Sequence, residues 1–413
     1  MITFVYADWI GLKGPQLMGE LSVQHIKGKE VFSFSYDKEW LQSDNAQTID
    51  PDLQLYSGPQ YLPSGKSNFG VFLDSSPDRW GRVLMDRREA LIAKREDRRI
   101  KKLFEEDYLL GVFDVHRVGA LRFKTELDGP FLNDNKGLAS PPFTSLRELE
   151  NASIQLEKGI LKDDVSLKWI NLLLAPGASL GGARPKASVR DPAGNLWIAK
   201  FPSVNDKTDV GAWEMIANEL AVRSGMNISE AKLKKFNTPH HTFLSKRFDR
   251  LKDKRIHFAS AMTLLGHSDG VEGVSYLDLA AFLVRHGAST NEDLEELWRR
   301  IVFNIAIKNT DDHPRNHGFI LAKKGWRLSP AFDVNPIYYG KGLTLNISET
   351  DNSLDFDLAL SVIEYFRVKE KKARSIIASI KQAINGWKAI AAKFKISRTE
   401  LTLMEQAFEF GIK

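Results

Sequence analysis

Asp311, Asp312, His313, Asn316 and His317 are crowded into one short polar stretch, TDDHPRNH, and Asp333 follows a little later in SPAFDVNP. Carboxylates grouped with an amide oxygen are the donor set of a hard cation such as Mg²⁺. A carboxylate in that setting also serves to take the proton of an attacking hydroxyl. An Asp, an Asn five residues on, then a hairpin and a further Asp is the order in which protein-kinase-like enzymes assemble a phosphoryl-transfer site. On this reading Asp311 is the catalytic residue, and Asn316 and Asp333 are the metal ligands. Asp312 is the second choice as base. His313 either contacts a phosphate or braces the loop, and His317 is structural.

Phosphoryl transfer also needs backbone donors around the phosphates and a cation upon them. Ser179 to Lys186 (SLGGARPK) offers the first: Gly181 and Gly182, followed by Ala183 and Lys186, let backbone N–H groups approach an anion. The motif is neither a Walker loop nor GxGxxG, and a plain tight turn fits it as well. Lys200, set among large apolar residues in WIAKFP, has the placement to reach phosphates while pairing with a helix carboxylate. Glu214 is the first choice for that carboxylate and Glu219 the second. Ser64-Gly65-Lys66-Ser67 lacks an upstream glycine at Walker spacing and reads as a surface turn.

The elements that must hold these groups are visible as patterns. Asp293 to Lys308 carries Leu294, Leu297, Trp298, Ile301, Val302 and Ile305 on one stripe, the mark of a buried helix ending at Asn309-Thr310. Gly318 to Leu321 and Trp326 to Leu328 read as strands turned by Ala322 to Gly325, which returns the chain towards Asp333. Earlier, Thr3 to Ala7, Leu17 to Val23 and Glu30 to Tyr36 read as strands, and Asp78 to Lys102 as a basic helix. Asp128 to Phe143 has linker composition, and Leu146 to Leu161 is helical. Ser188 to Arg190 and Trp197 to Phe201 flank a turn, Glu214 to Ser224 is a helix, and Thr242 to Phe248 is a strand. The expected fold class is α+β: a two-lobed, protein-kinase-like fold with a β-rich N-terminal subdomain and a mostly helical C-terminal lobe. The expected divisions are 1–125, a linker at 126–145, the nucleotide-binding part of the N-lobe at 146–250, and the helical lobe at 251–413.

Composition bounds the rest. A hydrophobic content of 43% with 27% charged residues is that of a globular protein with ordinary cores. The absence of cysteine excludes disulfides, thiolate metal sites and a cysteine nucleophile, and fits a cytoplasmic protein. No signal-peptide pattern opens the chain, and no apolar run reaches the ~18–20 residues of a membrane helix. A net charge of +5 permits an acidic partner without requiring one.

SLGGARPK, IAKFP at 198–202, KRFDR at 246–250, NTDDHPRN at 309–316 and SPAFDVNP at 329–336, in this order, resemble the HipA family, the serine/threonine-kinase toxins of bacterial HipA–HipB toxin–antitoxin systems. FSYDKEWL at 34–41 and FGVFLDSSPDRWGR at 69–82 are similar to that family's N-terminal subdomain. The resemblance implies ATP and Mg²⁺ as cofactors, with Asp311 catalytic, Asn316 and Asp333 on the metal, and Lys200 on the phosphates. It implies that His313 lies in the phosphate site and that Lys246, Arg247 and Phe248 form the hinge beside the adenine. It implies that Ser179 is autophosphorylated, ejecting the glycine loop and shutting the kinase off. The partners implied are a helix-turn-helix antitoxin of HipB type, operator DNA chiefly through that antitoxin, and a protein substrate, which in characterised members is an aminoacyl-tRNA synthetase. No membrane partner is implied.

Three other readings use the same residues. A small-molecule or lipid kinase would need the same constellation around a different hydroxyl. A pseudokinase acting as a DNA-linked corepressor would use the basic helix at 87–102 but has no need of Lys200, Asp311, Asn316 and Asp333 together. Metal-dependent phosphoester hydrolysis would use Asp311, Asp312, His313 and Asp333 but leaves Lys200 and the glycines idle.

Overall fold

The structure, a computed structural model, describes residues 1–133, 141–159, 163–174 and 182–412. The chain forms two compact units, Met1–Val204 with Arg247–Ser268, and Asn205–Lys246 with Asp269–Lys413.

The first unit is built on a five-stranded antiparallel sheet. Its order is Gln60–Tyr61, Lys29–Tyr36, Gln16–Ile26, Ile2–Ala7 and Leu121–Lys124. Alternation sets which face is buried: Phe32, Phe34 and Tyr36 turn inward along one strand, Val5 and Ala7 along another. Phe34 and Phe123 both pack on Phe72 from a short helix, Gly70–Asp74. Gly19 is required by proximity, since a Cβ there would lie 2.2 Å from the Ser35 carbonyl oxygen. The basic helix runs over Arg79–Arg95, and much of its charge, with that of the residues after it, is matched. Arg82 pairs with Glu105, Arg98 with Glu89 and Glu96, and Lys101 with Asp107. A second strand pair, Lys186–Arg190 with Leu196–Lys200, turns at Asp191 to Asn195, where Asp191 accepts the Asn195 N–H at 2.8 Å and the Trp197 indole N–H at 2.9 Å.

The KRFDR motif crosses into this unit at Arg247, and its charges are bound into the interior. Asp249 accepts from Arg247, Arg250 and the Gly119 N–H. Burial pushes its carboxyl up, but the two guanidiniums outweigh that and hold it below the usual carboxylate range. Asp114 does the same for Arg122 and Arg255, each at 2.7 Å.

The second unit is mostly helical. Helix Thr290–Ala306 runs through it with Leu294, Leu297, Trp298, Ile301, Val302 and Ile305 fully buried, as the stripe requires. Helix Val210–Arg223 and the strand pair Ala231–Lys234 with Thr242–Lys246 belong to the same unit. So does the hairpin Gly318–Ala322 with Gly325–Leu328, turned as its sequence indicates. C-terminal helices at Glu370–Ile384, Trp387–Lys393 and Arg398–Glu405 follow. Among the described residues no helix is long and apolar enough to cross a membrane.

His257, buried in the first unit against Trp9 at 5.2 Å between ring centroids, is pulled by burial down to about 3 from 6.5. The unfolded chain therefore binds this proton more readily than the folded one. The contribution of neutral His257 is complete above about pH 6.5 and is lost as pH falls towards 3. In His257→Phe the acid-side fall of thermal midpoint should flatten by the linkage of one proton. A wild-type slope in that variant would place the acid sensitivity elsewhere.

Candidate active site

The second unit fixes its polar loop from below through a chain of buried polar groups. Helix Thr290–Ala306 ends where Lys308 adopts a left-handed φ of 49°, and Asn309 returns to Asn304 through its backbone N–H at 2.9 Å and its side chain at 3.1 Å. Asn304 donates to the Tyr276 hydroxyl at 3.0 Å, and that hydroxyl donates to Asp312. The other Asp312 oxygen meets His317 Nε2 at 2.8 Å. Asp312, Tyr276 and His317 are all nearly inaccessible to solvent. The carboxylate of Asp312 is thus consumed in bracing the loop, and His317 braces it with Asp312. The second-choice base is buried, with a partner on each oxygen.

Asp311, the next residue, is exposed. Burial of part of its carboxyl and the nearby Asp333 push its pKa above the ordinary value, while His313 and Arg315 oppose the shift. Asn316 closes the turn: its backbone N–H donates to the His313 carbonyl at 2.8 Å and its side-chain N–H to the Asp311 carbonyl at 3.0 Å. The amide oxygen of Asn316 is buried and has no hydrogen-bond partner among the described residues. Buried acceptors are ordinarily satisfied, so this oxygen, on a side chain tied to the Asp311 carbonyl, has the chemistry of a hard-cation ligand. Asp333 sits at φ 55°, in the left-handed region that disfavours most side chains by roughly 1–2 kcal/mol. It is held there by Asn335, which donates to it at 3.0 Å, and by the pairing of Ala331 with residues 227 and 229 just before it.

Glu214 lies buried on helix Val210–Arg223 and lines a small pocket with Asn218, Ser229, Phe243 and Asp333. Glu219 on the same helix goes instead to Lys393 at 2.6 Å. The first choice of carboxylate is therefore the one that shares a pocket with a proposed metal ligand. The helix start is fixed by Asp209, which accepts the Ala212 N–H at 3.2 Å and the His241 N–H at 2.9 Å. His241, which beside His240 has the look of loop polarity, is a buried partner of Asp209, with ring and carboxylate also in contact.

In the first unit, Gly182 and Ala183 are exposed, with open space on the side where Gly182 would carry a Cβ. Ser179 and Gly181 lie outside the described residues. Lys200 ends its strand, buried, directly opposite Lys186 in the antiparallel register. A further grouping of metal-type donors in this unit, His25, Glu30 and Glu106, is accounted for by the Glu30 carboxylate, which accepts the Glu105 and Glu106 N–H groups.

The sequence model of a family described as "HipA-like C-terminal domain" matches residues 178–387, about half of the chain. The chain belongs to the HipA family. The matched span takes in all the site residues named above, from Ser179 to Asp333. The fold of the HipA chain in a complex of HipA, HipB and operator DNA from a Shewanella oneidensis MR-1 toxin–antitoxin system covers 96% of this chain and 94% of its own, with a TM-score of 0.64 at 17% identity. The α+β, kinase-like architecture read from the sequence is therefore that of HipA. A Haemophilus influenzae protein whose name calls it a kinase is 27% identical over 180 residues, 38% of this chain. The chain spans about half, 52%, of that relative.

Within this HipA-type chain the side chains of KRFDR are engaged in different ways. Lys246 puts its ammonium on Glu230 at 2.9 Å. The Arg247 guanidinium is filled by Asp249 and by the His116 and Arg117 carbonyls, while its backbone N–H reaches Leu196. Phe248 packs near Phe258 at 5.9 Å. The Asp312 brace yields a direct test. Asp312→Ala should lower stability in urea by about 1.5–3 kcal/mol, the scale of hydrogen bonds to a charged group, and an unchanged midpoint would show that the loop is held by other means.

Proposed function

We propose that this chain is a kinase that carries the γ-phosphoryl of ATP, with Mg²⁺, to a serine or threonine hydroxyl of a protein, as the toxin of a toxin–antitoxin pair. One observation carries the reading: the buried amide oxygen of Asn316, without a hydrogen-bond partner among the described residues, in a turn whose neighbouring Asp311 carboxyl is raised by partial burial and by Asp333. A hard cation would satisfy that oxygen and offset the repulsion between the Asp311 and Asp333 carboxylates. Asn316 and Asp333 would hold Mg²⁺, which supplies charge neutralisation at the phosphates when bound.

The protein's own groups do the rest. Asp311 accepts the hydrogen bond of the substrate hydroxyl, orients it and takes its proton as the oxygen attacks. The Asn316 side-chain N–H holds the Asp311 backbone while its oxygen serves the metal, so one amide couples the two roles. Lys200 and the backbone of Gly181, Gly182 and Ala183 would bind the phosphates, with Glu214 as the carboxylate partner of Lys200 and His313 at the phosphate site. The likeness in fold to a HipA crystallised with HipB and operator DNA supports a helix-turn-helix antitoxin as partner. Ion pairs engage Arg82, Arg98 and Lys101 in this basic stretch, which favours DNA contact through that antitoxin. Cytoplasmic location, an aminoacyl-tRNA synthetase as substrate and self-limitation by phosphate on Ser179 complete the proposal.

Incubation with Mg²⁺ and labelled ATP, followed by mass mapping, should find phosphate on Ser179 in the wild type. Asp311→Asn should bind ATP normally while transfer falls on the order of a hundredfold or more; near-normal transfer would remove Asp311 from the mechanism. Asp333→Ala and Asn316→Ala should each raise the Mg²⁺ concentration needed for half-maximal nucleotide binding. An unaltered metal requirement in both would sink the ligand assignment.

A further inference from the structure

Lys186 stands in the glycine motif as a candidate phosphate ligand, yet its side chain is 2% exposed. Its ammonium donates to Asp78 Oδ2 at 2.6 Å and to the Gly182 carbonyl at 2.8 Å. Asp78 is itself fixed, for as the N-cap of helix Arg79–Arg95 it accepts the Gly81 N–H at 2.9 Å through its other oxygen. Trp80, in the first turn of that helix, donates its indole N–H to the Lys186 carbonyl at 3.2 Å. The start of the helix therefore grips residue 186 by backbone and side chain together.

The strand register supplies an electrostatic reason for the grip. Residues directly opposite in an antiparallel pair share a face, so Lys186 and Lys200 are neighbours, both buried. Like charges so placed repel, and a buried ammonium without a counter-ion is strongly destabilising. Asp78 neutralises one of the two. Burial pushes the Asp78 carboxyl up, and Lys186 is the chief group opposing that push.

We propose that Asp78 and Lys186 are positioning residues for the nucleotide site: the pair anchors the Gly182 carbonyl and neutralises the ammonium opposite Lys200, leaving phosphate recognition to Lys200 and the glycine backbone. This rests on the kinase reading above. The test measures ATP affinity in the full chain for wild type, Asp78→Asn, Lys186→Met, their double variant and Lys200→Met, with amide hydrogen exchange at Gly182 and Ala183. Asparagine keeps the helix cap, so only the charge is removed. Asp78→Asn and Lys186→Met should each weaken ATP binding about tenfold, the equivalent of one charge-assisted hydrogen bond. The double variant should be no weaker than the worse single one, because the two act as a unit. Exchange at Gly182 and Ala183 should quicken in both.

A Lys186 that gripped phosphate itself would bind ATP more tightly once the Asp78 charge was gone. Tighter binding in Asp78→Asn, or unchanged affinity in both single variants, overturns the proposal while leaving the kinase reading intact. Should the wild type bind ATP no better than Lys200→Met, it is the kinase reading that falls. The anchor is then decided by exchange alone: quickened amides uphold it, unaltered amides overturn it. If Asp78→Asn does not fold, Lys186→Met breaks the same tie to Gly182 from the other end and is judged by the same readouts.

Discussion

A carboxylate enclosed between a tyrosine hydroxyl and a histidine ring is the fixed point of the polar loop. Asp312 is out of contact with water, and each of its oxygens has a partner on a rigid element. Tyr276 begins a helix, and Asn304 ties it to the long central helix whose end launches the loop. With that side chain immobilised, the backbone on either side has little freedom. Asp311 is presented outward as a direct result. Two adjacent aspartates with one chemical identity are thus divided by environment into a buried fastener and an exposed carboxyl.

The same economy recurs in the first unit, where charge is used for interior construction. Asp249 is shared by Arg247 and Arg250, Asp114 by Arg122 and Arg255, and Lys186 is matched by Asp78. Buried ions of this kind tolerate loss of a partner poorly, because the remaining charge has no water to turn to. They add little net stability compared with apolar packing, but they define one arrangement of the segments they join.

How much of this was legible in the sequence depends on how far each interaction reaches along the chain. The stripe from Leu294 to Ile305, the hairpin after Asn316 and the spacing of Asp311 from Asn316 are local patterns, and each appears in the structure where its period or turn chemistry put it. The buried role of Asp312 was hidden because its partner Tyr276 lies 36 residues away. Arg247 meets the His116 carbonyl across 131 residues, and Lys186 meets Asp78 across 108. Nothing in KRFDR or SLGGARPK distinguishes a cation aimed at a ligand from one engaged by a distant stretch of its own chain. His241 shows the same blindness at shorter range: beside His240 it looks like loop polarity, yet Asp209 buries it.

The left-handed backbone of Asp333 narrows what the position admits. That conformation is tolerated by glycine, asparagine and aspartate and resisted by longer or branched side chains. The metal-ligand role proposed for Asp333 would call for a carboxylate, which aspartate and glutamate alone offer. The two sets share a single member, so the residue is specified twice, once by its main chain and once by its charge. Glutamate, which is chemically equivalent, is excluded by geometry, and asparagine, which is geometrically equivalent, is excluded by charge. Variation at this site is therefore closed off by the fold and by the chemistry independently.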